Sequence, residues 1–183
     1  KCNPINIYGI SKLKGENLAI KYPGTIILRT SWLYGPLGNN FFIKMLDLLE
    51  GFGENSKVIK VVDDQWGSPT TTMDIANICW NIIYKNIQFK SGKPILHWSN
   101  KGAITWFDFS LCIKKYSEEN GLINYGAIIK PIKSYEYKSM AKRPLYSVLD
   151  CQSTIEVLNI EQIKWEEALK STLTIYAKGN KIS

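Results

Sequence analysis

Tyr8 and Lys12 stand four residues apart in the run Tyr8-Gly9-Ile10-Ser11-Lys12. On a helix that spacing puts both side chains on one face, about 6 Å apart along the axis. An ammonium there favours phenolate over phenol and can draw a tyrosine down from its ordinary pKa of about 10. A phenol tuned in this way can hand a proton to a carbonyl oxygen near neutral pH. The lysine can also hold a hydroxyl of a nicotinamide ribose. The same pair is common on plain surface helices, so the case rests on what accompanies it. Gly9 leaves room for a ligand or a backbone to come close.

Four further segments carry side chains suited to a ligand. Arg29-Thr30-Ser31-Trp32-Leu33-Tyr34 follows a short apolar run, and open α/β sheets bind ligands beyond the carboxyl ends of strands. Thr30 and Ser31 are small hydrogen-bonding residues at such an end. Trp32 offers a flat apolar face of the kind sugars stack on, or else packs in the core beside a turn. In Gly38-Asn39-Asn40-Phe41 one asparagine can cap a helix while the other meets a ligand, and the helix start offers backbone N–H groups to a phosphate. Asp63-Asp64-Gln65-Trp66-Gly67-Ser68-Pro69-Thr70 holds paired acids that could bind metal. An aspartate-rich turn bonded to its own backbone is the simpler expectation for Asp63 and Asp64. In Lys142-Arg143-Pro144 an arginine on a proline-fixed loop suits bidentate phosphate binding, although a solvated arginine looks the same in sequence. His97, the single histidine, reads as structural.

The elements that must position these groups alternate between helix and strand. A helix is expected from about Ile5 or Tyr8 to Lys21, ended by Tyr22-Pro23-Gly24. Thr25 to Leu28 reads as a buried parallel strand. Ser31 to Asn39 reads as a loop. A helix from Asn40 to Glu50 should bury Phe41, Met45, Leu48 and Leu49. A strand over Val58–Val62 and a polar loop over Asp63–Thr71 follow. Next come a helix over Thr72–Ile87 capped by Thr72, and a strand over Pro94–Trp98. Thr105 caps a helix to Glu119, and Ala127 to Ile132 forms a strand. Ser134 to Leu149 is irregular and tyrosine-rich. Short helices over Ser153–Leu158 and Trp165–Tyr176 close the chain. A helix feeding directly into a buried strand is half of a βαβ unit, which makes this an α/β fold.

Composition narrows the function classes. The 183 residues carry a formal charge of +7, but the basic residues are scattered, with no basic helix or nucleic-acid motif, so nucleic acid is not an expected partner. No stretch of about eighteen apolar residues is present, so no membrane span is expected. Cys2, Cys79, Cys112 and Cys151 have no metal-ligand spacing. Cys79 and Cys112 read as buried thiols, and a reducing cytoplasmic compartment is the natural expectation. The chain opens at lysine, which points to a start inside a longer gene product.

Taken together and in order, these segments resemble the dTDP-4-dehydrorhamnose reductase family of the extended short-chain dehydrogenases. The resemblance rests on Tyr8-Gly9-Ile10-Ser11-Lys12, Arg29-Thr30-Ser31-Trp32-Leu33-Tyr34, Gly38-Asn39-Asn40-Phe41, Asp64-Gln65-Trp66-Gly67-Ser68-Pro69-Thr70 and Arg143-Pro144, and covers essentially the whole chain. It implies an incomplete Rossmann-like fold with parallel strands and a smaller α/β substrate-binding lobe. Residues 1–35 would be the last helix and strand of the dinucleotide-binding domain and 36–183 the substrate lobe, with about 72–100 returning to the Rossmann-like sheet.

The implied reaction is reduction of the 4-keto group of dTDP-4-dehydro-6-deoxy-L-mannose to dTDP-L-rhamnose by NADPH or NADH. Tyr8 would be the proton donor. Lys12 would lower its pKa and grip the cofactor, with Thr30 and Ser31 beside the nicotinamide. Trp32 would pack on the deoxysugar, and Asn39, Gln65 and Arg143 would hold the nucleotide diphosphate. The resemblance leaves room for a homodimer. Met73 stands where some members carry an acidic metal-linked residue, so no metal is expected. A nucleotide-sugar epimerase or dehydratase, or a non-catalytic subunit like that of methionine adenosyltransferase, would share part of the pattern.

The family's glycine-rich phosphate loop and the third catalytic hydroxyl fall outside these residues. These 183 residues alone are therefore expected neither to bind NADPH well nor to turn over. Mixing the polypeptide with NADPH and the ketosugar and following absorbance of the reduced nicotinamide checks this, and normal turnover would refute it.

Overall fold

Local capping sets most helix starts. In chain order the elements are α1 (Ile7–Ala19), β1 (Ile27–Arg29), β2 (Leu33–Tyr34), α2 (Phe41–Glu50), β3 (Val58–Val62), β4 (Trp66–Gly67), β5 (Thr70–Thr71), α3 (Thr72–Tyr84), β6 (Ile95–His97), β7 (Ile104–Thr105), α4 (Trp106–Glu119), β8 (Ile128–Ile132), α5 (Gln152–Leu158) and α6 (Trp165–Asn180). The computed structural model describes residues 2–50, 58–89, 94–123, 127–139 and 141–180. Asn6, Thr71 and Thr105 cap α1, α3 and α4, each side chain accepting from the backbone N–H three residues on. Thr71 and Thr105 also donate to Asp74 and Asp108, closing each cap reciprocally. The cap of α3 is thus Thr71 and not the expected Thr72. Either threonine satisfies the sequence rule, and only Thr71 takes the extended backbone that a cap needs.

The strands pair β1 with β6, β2 with β5 and β3 with β8, all parallel, and β4 with β7 antiparallel. Helices flank these pairs, giving the α/β architecture of an incomplete Rossmann-like fold with a smaller lobe. Two apolar clusters hold it. One gathers Tyr34 of β2 with Phe42, Met45, Leu49, Phe109, Ile113, Leu169 and Leu173 from α2, α4 and α6 around β3. The other gathers Ile78, Trp98, Cys151 and Leu158, with Leu28, Ile75 and Ile82 against them, around β1 and β6. Each large side chain buried there contributes roughly 1.5–3 kcal/mol.

Several expectations are corrected. The presumed loops 31–39 and 63–71 contain β2, β4 and β5, two-residue strands too short to show alternation. The buried face of α2 is Phe42, Met45, Leu46 and Leu49. Phe41 and Leu48 are only partly buried against it, because the run is apolar over more than one face. Cys79 is exposed and Cys112 half-buried, whereas Cys151 is buried. The outer face of α3 carries apolar residues too, so periodicity did not tell inside from outside. Asp63 and Asp64 reach across to another segment instead of bonding their own turn.

Helix α1 buries no side chain, and its hold on β1 is polar. Arg29 donates from Nε to Glu16 Oε1 at 2.8 Å and from a terminal nitrogen to Oε2 at 2.5 Å. This fork holds the Glu16 carboxyl below the usual carboxylate range, against a smaller opposing effect of burial. A carboxylate depressed on folding contributes stability that is present above its unfolded pKa of about 4.3 and lost as pH falls through the folded value. Glu16→Gln should therefore cost about 1–2 kcal/mol at pH 7 and flatten the loss of Tm between about pH 5 and 3. Thermal unfolding of both proteins across that range checks it, and parallel pH profiles would rule the effect out.

Candidate functional site

A cleft of about 860 Å³ opens between α2, β3 and the irregular segment 134–145. That volume lies within the range of small-molecule sites. Asn39, Asn40, Phe41, Lys44, Met45 and Leu48 form one wall, Ile59 to Val62 and Gln65 the floor. Ser134, Tyr135, Tyr137, Lys142, Arg143 and Leu145 are on the opposite side, with Trp106 at one end. Lys44, Lys60, Lys142 and Arg143 are the charged residues among the described lining, and no acid is among them. The cleft is therefore a cationic hollow with an apolar floor, a setting that favours an anion carrying flat or apolar groups.

The far wall is pinned at its ends. Asp64 accepts from the backbone N–H of Ser134 at 3.0 Å and from its hydroxyl at 2.9 Å. Asp63 pairs with Lys133 at 3.0 Å, which holds that ammonium above its ordinary pKa. At the other end the Trp66 N–H donates to Leu145 O at 2.7 Å and the Ser147 N–H to Trp66 O at 2.9 Å. The paired aspartates are thus anchors for the cleft wall. Among the described residues, no group of three or more His, Cys, Asp or Glu could hold a metal ion.

Of the two asparagines, Asn40 caps α2. Its oxygen accepts from the Ile43 N–H at 3.2 Å, and its nitrogen donates to Gly35 O and Leu37 O, both at 3.1 Å. Asn39 is exposed at the cleft's edge, next to Gly38, which takes a φ of +80°. Asn39, Gln65 and Arg143 are brought together in this cleft.

Trp32 is placed differently. Its ring stacks on Trp106 with centroids 3.5 Å apart and planes 7° from parallel. A Cβ added to Gly67 would fall 2.2 Å from Trp32 Cε2, 2.4 Å from Nε1 and 2.6 Å from Cζ2. Those near-equal distances put the glycine over the ring, on the side away from Trp106. Both faces of Trp32 are therefore covered. Trp106, with Phe41 at 4.5 Å, is the aromatic surface that the cleft meets. Trp32 also takes a φ of 47°, which few non-glycine residues adopt.

Tyr8 and Lys12 do share a helix face, with Lys12 Nζ 5.5 Å from the Tyr8 ring centroid. Both are exposed, Tyr8 at 68%. Lys12 borders a smaller hollow with Glu16 and Arg29, and neither Tyr8 nor Lys12 is among the residues lining the large cleft. The phenol, the ammonium and the Trp32 indole do not gather at that one cleft. At the carboxyl end of β1, Thr30 Oγ1 is buried with no hydrogen-bond partner among the described residues. Ser31 Oγ donates to Ser68 O at 3.2 Å. His97 is held by the α5 region through Asp150 O and the Thr154 hydroxyl.

Sequence reasoning missed Lys44, Lys60 and Trp106. Lys44 lies one helical turn beyond Asn40, which could have flagged it. Trp106 follows a capping threonine, and nothing local distinguishes it from a core residue.

The chain matches the family described as RmlD substrate binding domain over residues 1–178. It is 34% identical over 171 residues to a dTDP-4-dehydrorhamnose reductase of Aggregatibacter actinomycetemcomitans, covering 92% of this chain and 57% of that protein. A crystal structure of a dTDP-4-dehydrorhamnose reductase from Clostridium acetobutylicum superposes with a TM-score of 0.80 at 33% identity, over 97% of this chain and 58% of that one. Another from Bacillus anthracis, in complex with NADP, gives a TM-score of 0.79 at 33% identity, over 94% and 57%. The chain spans somewhat more than half the length of these relatives.

Filling the space over Trp32 tests the stack. Gly67→Ala forces the indole off its present position, so it should lower stability by about 1–3 kcal/mol and change the near-ultraviolet circular dichroism of the stacked indoles. An unchanged spectrum and Tm would show that Gly67 does not close that face.

Proposed function

This chain belongs to the RmlD substrate binding domain family and corresponds to the substrate-binding portion of dTDP-4-dehydrorhamnose reductase-like proteins, and we propose that its cleft binds a dTDP-4-keto-6-deoxysugar for NAD(P)H-dependent reduction. The product would be dTDP-L-rhamnose from dTDP-4-dehydro-6-deoxy-L-mannose. The observation that carries this reading is the cleft itself, whose described charged residues are all cationic and which brings Asn39, Gln65 and Arg143 together.

In this reading Arg143 presents its guanidinium fork to the diphosphate, with Lys44 and Lys142 adding charge. Asn39 and Gln65 supply neutral hydrogen bonds that fix orientation. The deoxysugar rests on the Trp32–Trp106 pair, with Trp106 outward and Trp32 stiffening it from behind. Tyr8 gives a proton to the C4 oxygen as the carbonyl carbon is reduced, and Lys12 stabilises the phenolate left behind. Tyr8, Lys12, Thr30 and Ser31 would hold a nicotinamide cofactor, which would supply the hydride. The unpartnered buried hydroxyl of Thr30 fits a polar group at that strand end.

Calorimetric titration with thymidine diphosphate tests the binding half of the proposal. Binding should be saturable and preferred over inorganic phosphate, and Arg143→Ala should weaken it about 10- to 100-fold. No binding, or equal binding by the variant, would sink the assignment. In the assembled reductase, Tyr8→Phe should lower kcat by about 10²- to 10⁴-fold with thymidine diphosphate affinity unchanged. A variant with full kcat would remove Tyr8 from the chemistry.

A further inference from the structure

Asn6 joins two segments that lie far apart in the chain. Its side-chain oxygen accepts from the Gly9 N–H at 2.8 Å and caps α1, the helix of Tyr8 and Lys12. Its side-chain nitrogen donates to Lys142 O at 2.8 Å, beside Arg143 in the cleft wall. The two partners fix the orientation of the amide, because the Gly9 N–H needs an acceptor and the Lys142 carbonyl needs a donor.

The position of this bond gives it its consequence. The cleft wall is pinned near Ser134 by Asp64 and near Leu145 by Trp66. Between those anchors the Asn6 amide reaches in from another part of the chain and takes hold one residue from Arg143. Within these residues α1 buries no side chain, and its amino end is held by the Asn6 cap. This amide therefore ties the helix of the phenol to the loop of the guanidinium.

We propose that Asn6 is a positioning residue: it registers the Tyr8 helix against the Arg143 loop, so that a nucleotide-sugar held in the cleft is aligned with the phenol. This rests on the functional reading above. It also accounts for the residue type. Serine, threonine and aspartate all cap helices about as well as asparagine, but among these four only asparagine offers an N–H donor alongside the accepting oxygen. A residue that merely capped α1 would face no such restriction.

Cap-retaining variants separate the two roles. Asn6→Asp keeps the cap and sets a carboxylate oxygen against the Lys142 carbonyl, whereas Asn6→Ser keeps the cap and shortens the reach. Hydrogen exchange of the backbone amides of 135–139 and 141–143 should rise severalfold in both variants, with exchange in α1 unchanged. Thymidine diphosphate affinity should fall about fivefold, and combining Asn6→Asp with Arg143→Ala should cost less than the sum of the single changes. The proposal is overturned if both variants match the unmodified chain in exchange and affinity while only Asn6→Ala lowers Tm, since Asn6 is then a cap and nothing more. Unchanged exchange alone also overturns it. Should the unmodified chain bind no thymidine diphosphate, the functional reading falls, and the exchange comparison still decides whether Asn6 holds the loop.

Discussion

Within these residues, the fork between Arg29 and Glu16 ties α1 to the end of β1. Within these residues α1 buries no side chain, and directional polar bonds tie it to the strand. Arg29 is well placed to supply them. Its backbone lies in the β1–β6 ladder opposite His97, and its carbonyl accepts from the Trp98 N–H at 2.9 Å. The guanidinium therefore projects from a fixed point, and two parallel bonds to one carboxylate define orientation as well as distance. The arginine that precedes Thr30 and Ser31 thus serves the helix of Tyr8, while the two hydroxyl residues beyond it remain at the strand end.

The cleft is stiffened by other means. Ring contacts run from its end into the core: Trp32 on Trp106, Trp106 against Phe41, Phe41 against Phe109, and Phe109 against Trp165 of α6. Each contact buries large flat surfaces in defined geometry, and together they make a platform that resists local displacement. Gly67 is part of this device, since any side chain there would push into Trp32. The polar wall opposite is held by Asp64 on Ser134 and Asp63 on Lys133, and neither aspartate is among the residues lining the cleft.

How much of this was legible in the sequence follows from the range of the forces involved. Helices α4 and α6 and strand β3 could be read because their apolar spacing, and in α4 the Thr105 cap, are local. Strands β2, β4 and β5 could not, because two residues show no alternation and their pairing partners lie elsewhere in the chain. Cys79 was misplaced because α3 is apolar on two faces, and only the tertiary packing against Leu28 and Trp98 selects one. The cleft was half legible. Asn39, Gln65 and Arg143 stood out by type and by the motif they resemble, whereas Trp106 and Lys60 reach it through the meeting of distant segments. Trp32 was legible as an aromatic near the site but not as the covered member of a stack, since the residues that cover it stand at positions 67 and 106.

The two means of support suit the two tasks of the proposed reaction. Binding a nucleotide-sugar calls for a surface whose shape is the same before and after the ligand arrives, and close-packed rings give that. Proton transfer to a carbonyl tolerates little misplacement, on the order of 1 Å. Apolar packing cannot easily set such a distance, because it is non-directional. Hydrogen bonds can, since each has a preferred length and angle. The proposed function therefore divides in physical terms: ring packing would fix where a sugar sits, and polar links would fix the helix that carries Tyr8.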